Sequence, residues 1–112
     1  MNEKRHYPVV CLCGSTRFKE QFLRVQRDFT LRGYIVLSVG LFGHADDVTL
    51  TREKKKMLDD MHKRKIDMAE YVYIINVGGY IGESTRSEIM YAMQQKKRIG
   101  YPEQRAMLQP GG

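Results

Sequence analysis

The chain has 112 residues, a formal net charge of +6 and a pI near 9.4, enough for a single domain, residues 1–112, with a true core, and too few for two domains. No apolar run approaches membrane-spanning length, and the N-terminus lacks the charged, apolar, small-residue series of a signal peptide, so a cytoplasmic, non-membrane protein is expected. The basic residues cluster in Arg52 to Lys65 among Glu53, Asp59 and Asp60, which a solvated helix face explains more simply than a nucleic-acid surface, while a small phosphorylated ligand suits the charge.

In chain order, Met1 to His6 are polar and expected to be loose. The continuous apolar run Val9 to Cys13, ending at Gly14, predicts a strand covered on both faces. Ser15 or Thr16 is placed to cap the next helix, whose Phe18, Phe22, Val25 and Phe29 recur at i, i+4, i+7 and i+11, with Gly33 at its C-terminal stop. Tyr34 to Val39 predicts a second strand, followed by a loop from Gly40 to Asp47. A second helix is expected from Thr51 to about Met68, with Met57, Leu58, Met61 and Met68 turned inward. Tyr71 to Val77 and Arg98 to Tyr101 predict the third and fourth strands, the last stopped by Pro102. The core is expected over about 8–102, with 103–112 as coil.

Strands alternating with helices predict an α/β fold, a flavodoxin- or Rossmann-like three-layer sandwich. Its parallel sheet has four or five strands in the order 2-1-3-4. The ligand crevice of that topology lies between strands 1 and 3. It brings Gly14-Ser15-Thr16-Arg17 opposite the stretch Gly78 to Glu88, so that two helix N-termini face one pocket, with Arg17 offering a planar fork to phosphate.

Within that second stretch, Gly78, Gly79 and Gly82 let backbone approach a ligand, and Ser84 and Ser87 add hydroxyls. Thr85-Arg86-Ser87-Glu88 fits the S/T-x-x-E capping pattern. It would hold Glu88 in the first helical turn, where the dipole favours its ionised, nucleophilic form. The same glutamate is equally explained as a cap without chemistry. Cys11 and Cys13 sit two apart on one strand face, a poor geometry for a disulfide. With no second cysteine pair to complete a zinc set, they read as buried thiols, and no metal or cofactor is expected. His44, Asp46 and Asp47 read as a polar loop rather than a metal site.

Three segments carry a resemblance: Cys13-Gly14-Ser15-Thr16-Arg17 after a strand, Lys65-Ile66-Asp67-Met68-Ala69-Glu70 ahead of the third, and Gly82-Glu83-Ser84 through Glu88-Ile89-Met90-Tyr91-Ala92. They resemble the nucleoside 2-deoxyribosyltransferase superfamily, which includes the 2′-deoxynucleoside 5′-monophosphate N-glycosidases. The resemblance runs from about Val9 to Tyr101. It implies cleavage of the bond between a base and C1′ of the sugar, with Glu88 as nucleophile and a glycosyl-enzyme released to water or a second base. It also implies that Ser15, Arg17 and Ser84 or Ser87 hold a 5′-phosphate, with Gly14, Thr16 and Gly82 beside them. Two positions depart from the family pattern: Cys11 stands where the N-glycosidases carry a tyrosine, and His62 stands near an acidic position. His62 or Asp67 would then supply the proton to the leaving base. A nucleotide-binding module without turnover is the alternative these departures favour. Small size and methionine-rich helices favour a homodimer or higher homo-oligomer.

Overall fold

In the computed structural model, which describes residues 4–101, seven elements alternate along the chain: β1 Val9–Gly14, α1 Lys19–Leu31, β2 Ile35–Leu37, α2 Arg52–Met68, β3 Tyr71–Ile75, α3 Glu83–Gln94 and β4 Arg98–Gly100. The strands form one parallel sheet in the order β2-β1-β3-β4, with Val9 opposite Ile35, Cys13 opposite Ile74 and Val72 opposite Ile99. The predicted order is therefore the observed one, with four strands among the described residues. The tail at 103–112, the Pro102 stop and residues 1–3 lie outside the described residues.

Period-2 alternation along β1 divides the core. Val10 and Leu12 pack with Phe22, Phe29 and Ile75 beneath α1, whereas Cys11 and Cys13 pack with Ile66, Ala69, Val72, Ile74 and Ala92 beneath α2 and α3. Of the predicted stripe of α1, Phe22 and Phe29 are buried and Phe18 and Val25 half-buried against them, and Phe29 packs edge-on against Tyr34 and Tyr73. The helix ends at Arg32 in a Schellman arrangement: the N–H of Gly33 donates to Thr30 and that of Tyr34 to Phe29. Its N-terminus differs from the expectation. Phe18 occupies the cap with no side-chain bond, because the Ser15 hydroxyl accepts the Arg17 N–H and the Thr16 hydroxyl pairs with His44.

The second and third strands are shorter than predicted. β3 ends at Ile75, since Val77 and Tyr80 bridge across a tight turn in which Gly78 and Gly79 take φ of 63° and 81°. Two successive left-handed residues favour glycine, and the Asn76 side chain accepts the Gly79 N–H. These two glycines serve the turn and do not line the ligand cavity.

In α2, capped by the Thr51 hydroxyl at 3.1 Å from the Lys54 nitrogen, the inward line is Leu58, His62 and Ile66, at i, i+4 and i+8. Met57, Met61 and Met68 are 47%, 41% and 66% exposed, so the methionines predicted as core lie outside it, Met61 lining the cavity at the carboxyl ends of the strands. Their spacing imitates an amphipathic face, but the ridge meeting the sheet is set by Ile66 and Ala69 against Cys11 and Ile74. No helix among the described residues is long and apolar enough to cross a membrane.

Candidate active site

The carboxyl ends of β1 and β3 open onto a cavity of about 620 Å³, closed on one side by the loop after β1, on another by α2, and floored by α3. Gly14 begins the first wall, where a Cβ would lie 2.8 Å from the Ile75 carbonyl oxygen. Only a residue without a side chain lets β1 and β3 pass this closely before the chain turns out. Ser15, Thr16 and Arg17 follow it along the cavity, and Gly82, Ser84, Thr85 and Glu88 line the opposite side. The predicted convergence of the two loops on one pocket is what the fold produces.

Glu88 is only 8% exposed. The capping box expected around it does not form: Gly82, in extended backbone, caps α3, and its carbonyl accepts the Arg86 N–H. The helix therefore starts at Glu83, which puts Thr85 third and Glu88 sixth, a full turn beyond the free N–H groups. The field at Glu88 is consequently set by burial. Desolvation pushes its carboxyl up from 4.5 to about 6, partly offset by the charge of His62 and a hydrogen bond with Cys13.

Behind Glu88 stands a second cluster that joins β1 to α2. His62 Nε2 lies 3.6 Å from Cys11 Sγ and 3.4 Å from Cys13 Sγ, and all three residues are buried. The hydrogen bond from Cys13 brings Cys11 down to about 6, against the burial that would raise it, and His62 acts in the same direction. Cys13, which keeps the proton of that bond, is pushed well up by it and by burial. Burial alone would lower His62, but hydrogen bonding with Cys11 and the Glu88 charge outweigh it and leave it raised. One carboxyl and one imidazole thus line the pocket floor, with two free thiols packed behind them.

Cations and hydroxyls ring the mouth. Lys55 donates to the Ser84 hydroxyl at 3.1 Å and pairs with Asp59 at 3.4 Å, and the Arg17 guanidinium lies 4.6 Å from the centre of the Tyr80 ring. Thr16 Oγ1 and His44 Nδ1 are 2.6 Å apart, fastening the β1 loop to the β2 loop, and Lys19 holds Asp46 at 2.9 Å.

Of the residues singled out from sequence, Gly14, Ser15, Thr16, Arg17, His62, Gly82, Ser84 and Glu88 line this cavity. Asp67 and Ser87 do not. Asp67 is exposed, accepting the Tyr91 hydroxyl at 2.5 Å and pairing with Arg64 at 3.4 Å. It follows His62 by five residues, a rotation of about 500° that leaves it some 140° away around the helix. Ser87 is exposed for a similar reason, one residue and about 100° from Glu88, whereas Ser84 lies on the Glu88 face at i−4. Lys55, Asp59 and Tyr80 were missed. The first two precede His62 at i−7 and i−3 on one face of α2, a periodicity hidden among charges that read as solvated. The partner of the cysteines was missed as well, because it is a histidine 49 residues from Cys13 rather than a second cysteine pair.

No protein-family model matches the chain, and a search of curated proteins returns no significant match.

Proposed function

We propose that the chain cleaves the bond between a base and C1′ of a nucleoside or its 5′-monophosphate, as an N-glycosidase or a deoxyribosyl transferase. The observation that carries this reading is Glu88, a buried carboxylate at the floor of a cavity of nucleotide size whose mouth holds Arg17, Lys55 and Ser84. The resemblance of the Cys13–Arg17 and Gly82–Ala92 segments to the nucleoside 2-deoxyribosyltransferase superfamily supports the same assignment. Glu88 Oε attacks C1′ as the bond to the base nitrogen breaks, giving a glycosyl-enzyme ester through an oxocarbenium-like transition state. His62, with its raised pKa, would protonate the departing base. Water or a second base then takes the sugar and frees Glu88. Arg17, Lys55 and the Ser15 and Ser84 hydroxyls suit a phosphate at the mouth. Self-association belongs to the same reading, supported by exposed Met57, Met90 and Met93 on α2 and α3; a light-scattering mass of one chain would remove it.

The test is chromatographic detection of free base after incubation with ribo- and deoxyribonucleosides and their 5′-monophosphates, with Glu88→Gln in parallel. Base released by the parent alone establishes the N-glycosidase. One observation favours a second reading, a nucleotide-binding module without turnover: the Nε2 of His62 is directed at the two thiols. Nucleotide binding by calorimetry with no release, even with a second free base as acceptor, would select it.

A further inference from the structure

We infer that Cys11, Cys13 and His62 form a binding site for Zn²⁺, with the fourth coordination position on the side of Glu88. The three donor atoms lie within 4.8 Å of one another. Zinc bound to sulfur at about 2.3 Å and to imidazole nitrogen at about 2.0–2.1 Å, at the tetrahedral angle, separates S from N by about 3.5–3.6 Å. The observed separations are 3.6 and 3.4 Å.

A thiol–imidazole hydrogen bond has a similar length, so distance alone does not decide. Convergence does. Imidazole Nε2 offers one lone pair or one proton and so bonds one sulfur at a time, and although Cys13 can donate to Cys11 instead, both sulfurs close on the same nitrogen, as the members of one ligand set do. A cation placed among the three satisfies them all at once. The scaffold is also rigid: the cysteines are two apart on one face of a strand paired on both sides, and the histidine is held in the middle of a 17-residue helix. Two thiolates neutralise the ion, which suits burial. Loading releases to solvent the protons that the thiols and His62 still carry. His62 and Glu88 both line the cavity, which gives the ion its path in. The inference does not depend on the glycosidase reading: Glu88, the proposed nucleophile, is not a donor, and zinc on His62 would take away the proton donor of that reading rather than support it.

The experiment is a titration of the reduced, chelator-treated full chain with Co²⁺ under anaerobic conditions, followed by displacement with Zn²⁺. The expected result is a thiolate-to-cobalt charge-transfer band that saturates at one equivalent per chain, disappears on adding Zn²⁺, and is accompanied by a higher melting temperature. Cys13→Ser and His62→Gln each lose the band. Since either buried substitution can disturb folding, the parent decides: absence of the band, or cobalt binding without thiolate absorption, overturns the site. Glu88→Gln keeps the band, while base release by the metal-free parent is measured separately, so neither result stands in for the other.

Discussion

The carboxyl of Glu88 ionises at about 6 in the folded chain against 4.5 when solvated, because burial penalises its anion. The proton is therefore bound more tightly by the folded state. Its contribution to stability is fully present below about 4.5 and is lost as pH rises through about 6. The shift corresponds to about 2 kcal/mol. Glu88→Gln removes the buried charge, so it is expected to abolish base release while raising stability by about 2 kcal/mol near neutral pH, a gain that fades in acid; urea denaturation at two pH values measures it. In chelator-treated protein, base release should climb through about pH 6 as Glu88 ionises. It should decline at higher pH as His62 loses its proton, giving a bell whose acid limb belongs to the nucleophile. Arg17→Ala should cost monophosphates about 10-fold in kcat/KM and nucleosides much less. Glu88 was legible in the sequence as a pocket residue, but the sign of its perturbation was not. The capping pattern at Thr85 predicted a stabilised anion, and the earlier helix start at Gly82 placed the side chain where burial prevails instead.

The elements were legible where one physical cue dominated. The aromatic repeat of α1 and the apolar run of β1 fixed those segments because burial on one or both faces demands that pattern. In α2 two patterns competed, and the methionines at spacing four and seven concealed the Leu58-His62-Ile66 line that meets the sheet. The same line explains why Asp67 was a poor choice of acid. At the other end of the fold, α3 closes with the N–H of Lys97 donating to Ala92 and that of Lys96 to Met93, which leaves Lys96 at φ 59°. A side chain in that left-handed position is strained, so Lys96→Gly should stabilise by about 1 kcal/mol, read as a higher urea midpoint at unchanged slope. Gly14→Ala acts oppositely. Its Cβ would press on the Ile75 carbonyl, backbone against backbone, and a loss of about 1–3 kcal/mol is expected in the same measurement.

At the scale of the whole molecule, the alternation of strands and helices was enough to foresee the order β2-β1-β3-β4 and the crevice between β1 and β3. The cluster behind the pocket floor was not foreseeable, because the thiols and the imidazole meet only through the packing of α2 on β1. Under the glycosidase reading, a divalent cation beside Glu88 would hold the carboxylate that must attack C1′. Base release should then be highest after chelation and fall when stoichiometric Zn²⁺ is restored, a reversal checked by repeating the assay after each treatment. Among the described residues the two outer strands, β2 and β4, pair over only three residues each. Strands that short expose few free N–H and C=O groups, so they make poor templates for strand addition. Growth of the sheet from one copy into the next through these two edges is thereby disfavoured, and among the described residues the helical layers are the broader surfaces that remain for assembly.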